Sequence, residues 1–136
     1  MKIGATRSEG GTRGSTVTIG GETAPAFHNF QAIPPHKPVI ALDVFDYPKV
    51  PLPKAVKMHY RDVLEDTAEW SRRCVEKFNT EMINLHLTSI DPLIYDATPR
   101  DALRTVENVL EAVDVPLSIG GCGDPSKDLA VFQLLA

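Results

Sequence analysis

Residues 82–89 read MINLHLTS, a run in which apolar and polar side chains alternate. Neighbouring side chains of a β-strand point to opposite faces of the sheet. One face of this run is apolar and consists of Ile83, Leu85 and Leu87. The other face is polar and consists of Asn84, His86 and Thr88. The alternation predicts a strand that packs against the core on one side and borders a polar space on the other.

Two further segments repeat this pattern, residues 38–45 (PVIALDVF) and residues 115–120 (VPLSIG). Their apolar faces consist of Ile40, Leu42, Val44, Leu117 and Ile119. Their opposite faces carry small or polar residues, which are Ala41, Asp43, Ser118 and Gly120. An open sheet with helices on both sides tends to be apolar on both faces. A single polar face therefore favours a (β/α) barrel, whose strands turn one side inward.

Helical segments separate these strands, and capping residues mark where they begin. Asp66 begins one helix, with Glu69 three residues on as in a capping box. Thr98 and Asp124 begin two more, because each can cap a first turn and is followed by a proline. Residues 54–66 are a weaker helical candidate. The predicted buried faces are Trp70, Cys74 and Phe78 in the helix after Asp66, and Leu103, Val106, Leu110 and Val113 in the helix after Thr98.

The order of strands and helices predicts an α/β fold with parallel strands and helical crossovers. We assign residues 38–136 to the first βα units of a TIM (β/α)8 barrel. A complete barrel has eight strands in roughly 250 residues, whereas this sequence has 136 residues. We therefore expect an incomplete barrel, either the front portion of a longer chain or a truncated gene product.

Residues 1–37 are predicted to form a β-hairpin followed by an irregular connection. The segment 15–24 (STVTIGGETA) alternates around Gly20 and Gly21, a two-residue turn signal. Glycine accepts the positive φ that such a turn needs. Four prolines, at positions 25, 34, 35 and 38, stiffen the segment that follows.

Charge, apolar runs and cysteine content limit the partners, cofactors and cellular location that we expect for this protein. The 14 basic and 18 acidic residues give a net charge of −4, which disfavours nucleic acid and anionic membranes as partners. The sequence contains neither a membrane-spanning apolar run nor the apolar stretch of a signal peptide. Its two cysteines, Cys74 and Cys122, are far apart and outside any CxxC motif, so a disulfide framework or a zinc or iron–sulfur site is not expected. We expect a cytoplasmic protein with reduced thiols.

The segment 116–128 (PLSIGGCGDPSKD) breaks from a strand into glycines and then into a helix start. Ligands of α/β proteins bind at the carboxyl ends of parallel strands, and the N–H groups of a helix start can hold an anion. The segment matches neither of the nucleotide-binding glycine motifs. A ligand-binding loop and a plain turn with a helix cap both remain open. Cys122 would be a nucleophile only with a base beside it, and none lies nearby in sequence.

Polar side chains at the ends of the other two strands are further candidates. Asp43 and Asp46 close the first strand, where carboxylates can hold a proton, a hydroxyl or a ring nitrogen, or can cap a loop. Thr88, Ser89 and Asp91 close the second strand, within a sequence (SIDP) that is also typical of a turn. His86 is expected to face the interior, where a lone histidine is more often a hydrogen-bonded structural residue than a ligand.

Four segments, in this order, resemble one known family: residues 9–30 (EGGTRGSTVTIGGETAPAFHNF), 38–46 (PVIALDVFD), 61–92 (RDVLEDTAEWSRRCVEKFNTEMINLHLTSIDP) and 109–132 (VLEAVDVPLSIGGCGDPSKDLAVF). Together they resemble the delta subunits of the acetyl-CoA decarbonylase/synthase complex, whose bacterial counterpart is the small subunit of the corrinoid iron–sulfur protein. The GGTR opening and the GGCGDPSKD segment are the most specific parts. The opening departs slightly from the family, because it reads APAFH where the family has a PFH-like sequence.

The resemblance implies a TIM barrel that forms a heterodimer with a larger gamma subunit, which carries an iron–sulfur cluster and a corrinoid. The barrel mouth would help to enclose the corrinoid, which is shared with the gamma subunit and not bound independently. The pair would accept a methyl group from a methyl-tetrahydropterin methyltransferase and relay it to the acetyl-CoA synthase, alongside the CO dehydrogenase subunits. The resemblance implies an accessory subunit, with neither catalytic residues nor metal ligands of its own. The positions implied to face the corrinoid are Asp43, Thr88, Ser89, Gly121, Cys122 and Gly123.

Two other interpretations of the sequence remain. Acidic and polar residues at strand ends would also suit a stand-alone pterin-dependent methyltransferase of TIM-barrel fold. An incomplete barrel would leave strand edges unpaired, and this suits an inactive fragment.

Overall fold

The computed structural model describes residues 1–21 and 35–136. The strands and helices of the described residues are, in chain order, β1 (Lys2–Ile3), β2 (Val17–Thr18), β3 (Ala41–Phe45), α1 (Lys54–Lys57), α2 (Thr67–Phe78), β4 (Met82–His86), α3 (Pro99–Ala112), β5 (Leu117–Gly120) and α4 (Pro125–Leu135). Short 3₁₀ helices span Arg7–Glu9 and Thr88–Ile90.

Strands β3, β4 and β5 form a parallel sheet in that order. The register places Asp43 beside Asn84, and Asn84 beside Ser118. Two residues further along each strand, on the same face, Phe45 lies beside His86, and His86 lies beside Gly120. Parallel strands need crossover connections, and the helices between the strands supply them. The α/β class and the parallel order are therefore confirmed.

The apolar face of the sheet is the buried one. Val44, Ile83 and Leu85 have no exposed surface, and they belong to a core cluster that also contains Trp70 and Val109 from the helices. Burying an aliphatic side chain of this size stabilises the fold by roughly 1.5–3 kcal/mol. The helices therefore cover one face of the sheet, as the alternation predicted.

The opposite face stays accessible. Asp43 is exposed, and Asn84 and His86 are half-buried. The prediction was wrong at the start of the first strand, because Ile40 precedes β3 and is 71% exposed. It was also wrong at the end of the second, because Thr88 and Ser89 lie in a 3₁₀ helix and not in strand β4.

The helices begin where the capping residues predict. The Asp66 carboxylate accepts hydrogen bonds from two N–H groups of the first turn of α2, but Glu69 pairs with Arg72 and completes no capping box. Asp124 caps α4 in the same way, and Thr98 forms a reciprocal capping box with the third residue of α3. The weaker candidate is helical only over Lys54–Lys57.

Two details of the helical faces differ from the prediction. Phe78 is 37% exposed at the end of α2, whereas Trp70 and Cys74 are buried. The buried side chains of α3 are those of Ala102, Val106 and Val109. In α3, Leu103 and Leu110 are half-buried and flank this stripe, and Val113 is buried just beyond the end of the helix.

The N-terminal segment forms a small antiparallel pair with itself. Lys2 pairs with Thr18, and Ile3 pairs with Val17. Gly20 and Gly21 have φ values of 79° and 89°, as the turn prediction requires. The returning arm of the predicted hairpin, residues 22–24, lies outside the described residues.

Arg13 fastens this N-terminal segment to the end of α3. Its guanidinium is buried and donates to the carbonyl oxygens of Val113 at 2.6 Å and of Leu110 at 2.9 Å. The same group donates to Thr12 Oγ1, and the N–H of Gly14 donates to the carbonyl of Asp114. The last carbonyls of a helix have no partners within it, so Arg13 satisfies groups that the helix cannot satisfy itself.

Replacement of Arg13 by methionine should destabilise the protein by about 2–3 kcal/mol, because two carbonyl groups lose charged donors in a buried place. The measurement is the free energy of unfolding in urea. The control is the same substitution at the exposed Arg7, which should change stability by less than about 0.5 kcal/mol. Equal effects at both positions would contradict the role of Arg13.

Candidate functional site

The candidate site lies at the carboxyl end of the parallel sheet. Residues from three places meet there: the accessible face of the strands, the 3₁₀ helix Thr88–Ile90 that follows β4, and the loop 121–124 that follows β5. Five of the six positions implied by the resemblance lie at this end of the sheet, but Asp43 does not close its strand as predicted, because it lies in the middle of β3 on the accessible face. Their contacts separate them into three groups, which have different surroundings.

The first group is a polar network on the accessible face. Asn84 Nδ2 donates to Asp43 Oδ1 at 2.7 Å and lies 2.8 Å from His86 Nε2. His86 Nε2 is also 3.3 Å from Asp43 Oδ1. The ring of Phe45 stacks on the His86 ring, with centroids 5.0 Å apart. The Asp43 side chain is 57% exposed, so its carboxylate can still accept hydrogen bonds from a ligand.

The network includes two residues that were not among the six predicted contact positions. Asn84 and His86 were recognised as facing the accessible side, but nothing marked them as partners of Asp43. The register of β3 against β4 brings them together, because it places Asp43 directly beside Asn84. Only knowledge of that register, and not the alternation within each strand, could have identified the network.

The second group holds the ends of two strands together. The Asp46 carboxylate accepts a hydrogen bond from the backbone N–H of Ser89 at 2.8 Å and another from Thr88 Oγ1 at 3.2 Å. The hydroxyl of Ser89 donates to the same carboxylate. Thr88 and Ser89 therefore point their polar groups at Asp46, which leaves a structural role as the plainest account of these side chains.

The third group is the loop that follows β5. The Asp128 carboxylate, in the first turn of α4, accepts hydrogen bonds from the backbone N–H of Cys122 at 2.8 Å and of Gly123 at 3.0 Å. A Cβ atom at Gly121 would lie 2.1 Å from Asp128 Oδ1, so this position accepts only glycine while Asp128 holds its place. Gly123 has φ +94°, which also favours glycine.

The thiol of Cys122 is poorly suited to act as a nucleophile. Burial raises the pKa of the Cys122 thiol above its ordinary value, and this outweighs the hydrogen bond that the N–H of Asp124 donates to the sulfur. The nearby carboxylates of Asp128 and Asp91 raise the pKa further. A reactive cysteine needs a stabilised thiolate, whereas these surroundings favour the neutral thiol.

Within residues 1–21 and 35–136, no three histidine, cysteine, aspartate or glutamate side chains converge as metal ligands. None of the helices in this part of the chain has the length and apolar character of a membrane span.

Replacement of Asp46 by alanine should cost about 2–3 kcal/mol of stability, because the Ser89 N–H and two hydroxyls lose a charged acceptor. Asp43→Ala is the matched control, and it should cost less than about 1 kcal/mol because its carboxylate is exposed. Urea unfolding of both variants measures the difference. A larger loss for Asp43→Ala than for Asp46→Ala would contradict this assignment of roles.

Cys122 should react with iodoacetamide more slowly than free cysteine, and its rate should still be rising above about pH 8.5, because the raised pKa keeps the thiol protonated. Peptide mass spectrometry measures the reaction at each pH, with the buried Cys74 as an internal reference. A rate that levels off below about pH 7 would reveal a stabilised thiolate and contradict the prediction.

The comparisons with known proteins agree with the motifs. Residues 2–133 match the family model described as CO dehydrogenase/acetyl-CoA synthase delta subunit. A protein of Archaeoglobus fulgidus named acetyl-CoA decarbonylase/synthase complex subunit delta is 49% identical over 134 residues, which cover 98% of this chain and 29% of that protein.

Two more relatives carry the same name or a numbered form of it. Subunit delta 1 of Methanosarcina thermophila is 49% identical over all of this chain and 31% of its own length. Subunit delta of Methanocaldococcus jannaschii is 43% identical over all of this chain and 33% of its own length. The chain thus spans about a third of the length of the curated relatives that it matches. On the family match across residues 2–133, the chain belongs to the CO dehydrogenase/acetyl-CoA synthase delta subunit family.

Proposed function

We propose that this chain serves within an acetyl-CoA decarbonylase/synthase complex as part of a corrinoid-enclosing delta subunit. The family match over residues 2–133 carries the proposal, and the names of the relatives place those proteins in such a complex. The gamma subunit would hold the corrinoid, and the carboxyl end of the sheet would cover it. The complex would also bring together the acetyl-CoA synthase, the CO dehydrogenase and a methyl-tetrahydropterin methyltransferase.

We further propose that the three strands are the first of a (β/α)8 barrel. The support is the parallel order of β3, β4 and β5, together with a single buried face. In a barrel, the accessible face would line the interior, and the end of the sheet that carries loop 121–124 would form the mouth. Both edges of the sheet would pair with further strands.

The residues at this end of the sheet suit a surface that contacts a corrinoid. They do not suit a set of ligands to its metal. His86 Nε2 already lies within hydrogen-bond distance of Asn84 and Asp43, and the Cys122 thiol is held neutral. Gly123, where a Cβ atom would meet nothing within 4 Å, keeps this part of the loop after β5 free of bulky side chains, so that a flat macrocycle can approach its backbone. The Asp43 carboxylate can accept a hydrogen bond from an amide at the macrocycle edge.

In this role the residues of the chain exclude water from the covered side of the corrinoid and keep the surrounding segments in place. The corrinoid, when bound, supplies the cobalt that carries the methyl group. The Asp43 network and the stacked pair Phe45 and His86 would exclude water from the covered side. Asp46 would keep the 3₁₀ helix Thr88–Ile90 in place beside them.

A second function has a specific observation in its favour. Asp43 and Asn84 present a carboxylate and a carboxamide on neighbouring strands, 2.7 Å apart, on the accessible face. Such a pair can bind the donor and acceptor groups of a pterin ring. A stand-alone pterin-dependent methyltransferase would use it, and this candidate requires pterin binding by the chain alone.

Mixing the chain with a corrinoid-loaded gamma subunit should shift the cobalt absorption bands, because covering the corrinoid changes its surroundings. Asp43→Ala should weaken the association by roughly tenfold, the effect of one lost hydrogen bond to a charged group. Glu76→Ala, on the exposed side of α2, is the control and should leave the association unchanged. A spectral titration measures all three.

An unchanged cobalt spectrum with the unaltered chain would contradict the proposal. Pterin binding by the chain alone, measured by calorimetry and abolished by Asp43→Ala, would favour the second function instead.

A further inference from the structure

The loop after β5 leads into α4 as if to hold an anion, but its N–H groups from Cys122 onward are already occupied. Asp128 accepts from the N–H groups of Cys122 and Gly123. Asp124 accepts from the N–H groups of Ser126 and Lys127, at 2.9 Å and 3.0 Å. The N–H of Asp124 donates to Cys122 Sγ, and that of Asp128 donates to the Asp124 carbonyl.

Every backbone N–H group from residue 122 to residue 128 therefore has an acceptor, since Pro125 has no N–H group. The two carboxylate oxygens of Asp128 each take one loop N–H, in the manner of a bound carboxylate or phosphate ion. The absence of a side chain at Gly121 makes room for this carboxylate, because a Cβ atom there would approach Asp128 Oδ1 to 2.1 Å. The loop and the aspartate thus fit each other closely.

The charges around the loop oppose a second anion. The carboxylates of Asp91 and Asp128 lie near Cys122, and that of Asp124 caps the first turn of α4. The ammonium of Lys127, which could otherwise attract an anion, is paired with Asp96 on the loop after β4. A phosphate or carboxylate of a ligand would have to displace Asp128 and then remain beside two other carboxylates.

We propose that Asp128 is a built-in anion that closes the loop 121–124 to phosphate and carboxylate groups. A ligand or partner that meets this end of the sheet places only neutral or cationic groups against the loop. This restriction on the chemical groups that the loop accepts does not depend on whether the partner is a corrinoid protein.

Replacement of Asp128 by alanine should open an anion site, because it frees two N–H groups and removes one negative charge. The probe is inorganic phosphate, and the measurement is the titration of the Cys122 and Gly123 amide signals in ¹H–¹⁵N spectra. These signals should stay fixed in the unaltered chain. In Asp128→Ala they should shift saturably, with an affinity at least roughly tenfold above any binding by the unaltered chain.

Asp91→Ala is the matched control, since it also removes one carboxylate near Cys122 but leaves the two N–H groups occupied and Lys127 paired with Asp96. Phosphate should not shift the Cys122 and Gly123 signals in this variant. Saturable shifts in the unaltered chain would overturn the proposal, and so would unmoved signals in a folded Asp128→Ala variant. Should Asp128→Ala be unfolded, phosphate must restore its circular dichroism spectrum at lower concentration than chloride does, and failure to do so contradicts the proposal.

Discussion

The parallel pairing of β3, β4 and β5 in one register is the constraint on which the rest of the structure depends. A shift of one residue would turn every side chain of a strand to the opposite face. The buried positions of Val44, Ile83 and Leu85 fix the register, because each would otherwise lose its place in the core. Their burial keeps Asp43 and Asn84 on the open face, and the observed register then places these two residues side by side.

Acidic side chains hold the carboxyl end of this sheet in place. Asp46 ties the loop after β3 to the 3₁₀ helix Thr88–Ile90, and Asp128 ties the loop after β5 to α4. In both cases a carboxylate accepts hydrogen bonds from backbone N–H groups, which is among the stronger pairings that a protein makes. At the opposite end of the sheet, Arg13 has the converse role and donates to the carbonyl groups at the end of α3. The polar network around Asp43 therefore lies among segments whose own polar groups already have hydrogen-bond partners.

Much of this could be predicted from sequence because it depends on local patterns. Alternation identified the buried face of β4, and the pairs Thr98-Pro99 and Asp124-Pro125 located two helix starts. The roles of Asp46 and Asp128 could not be predicted, since each carboxylate reaches N–H groups whose positions depend on tertiary structure or on the path of a loop. The same holds for Arg13, whose acceptors lie about a hundred residues away in sequence. Phe78 was placed in the core because it continues a helical stripe, but α2 ends there and leaves the ring at the surface.

The central claim is that the gamma subunit closes the carboxyl end of the sheet, and with it the accessible face that leads to this end, and leaves the helical side uncovered. The most direct measurement is the rate of thiol labelling at single cysteines introduced by Asn84→Cys and Leu85→Cys, followed by mass spectrometry with and without the gamma subunit. The account predicts rapid labelling at position 84 in the free chain, protection there in the complex, and slow labelling at position 85 in both states. Rapid labelling at position 85, or position 84 labelling that the gamma subunit leaves unchanged, would contradict it.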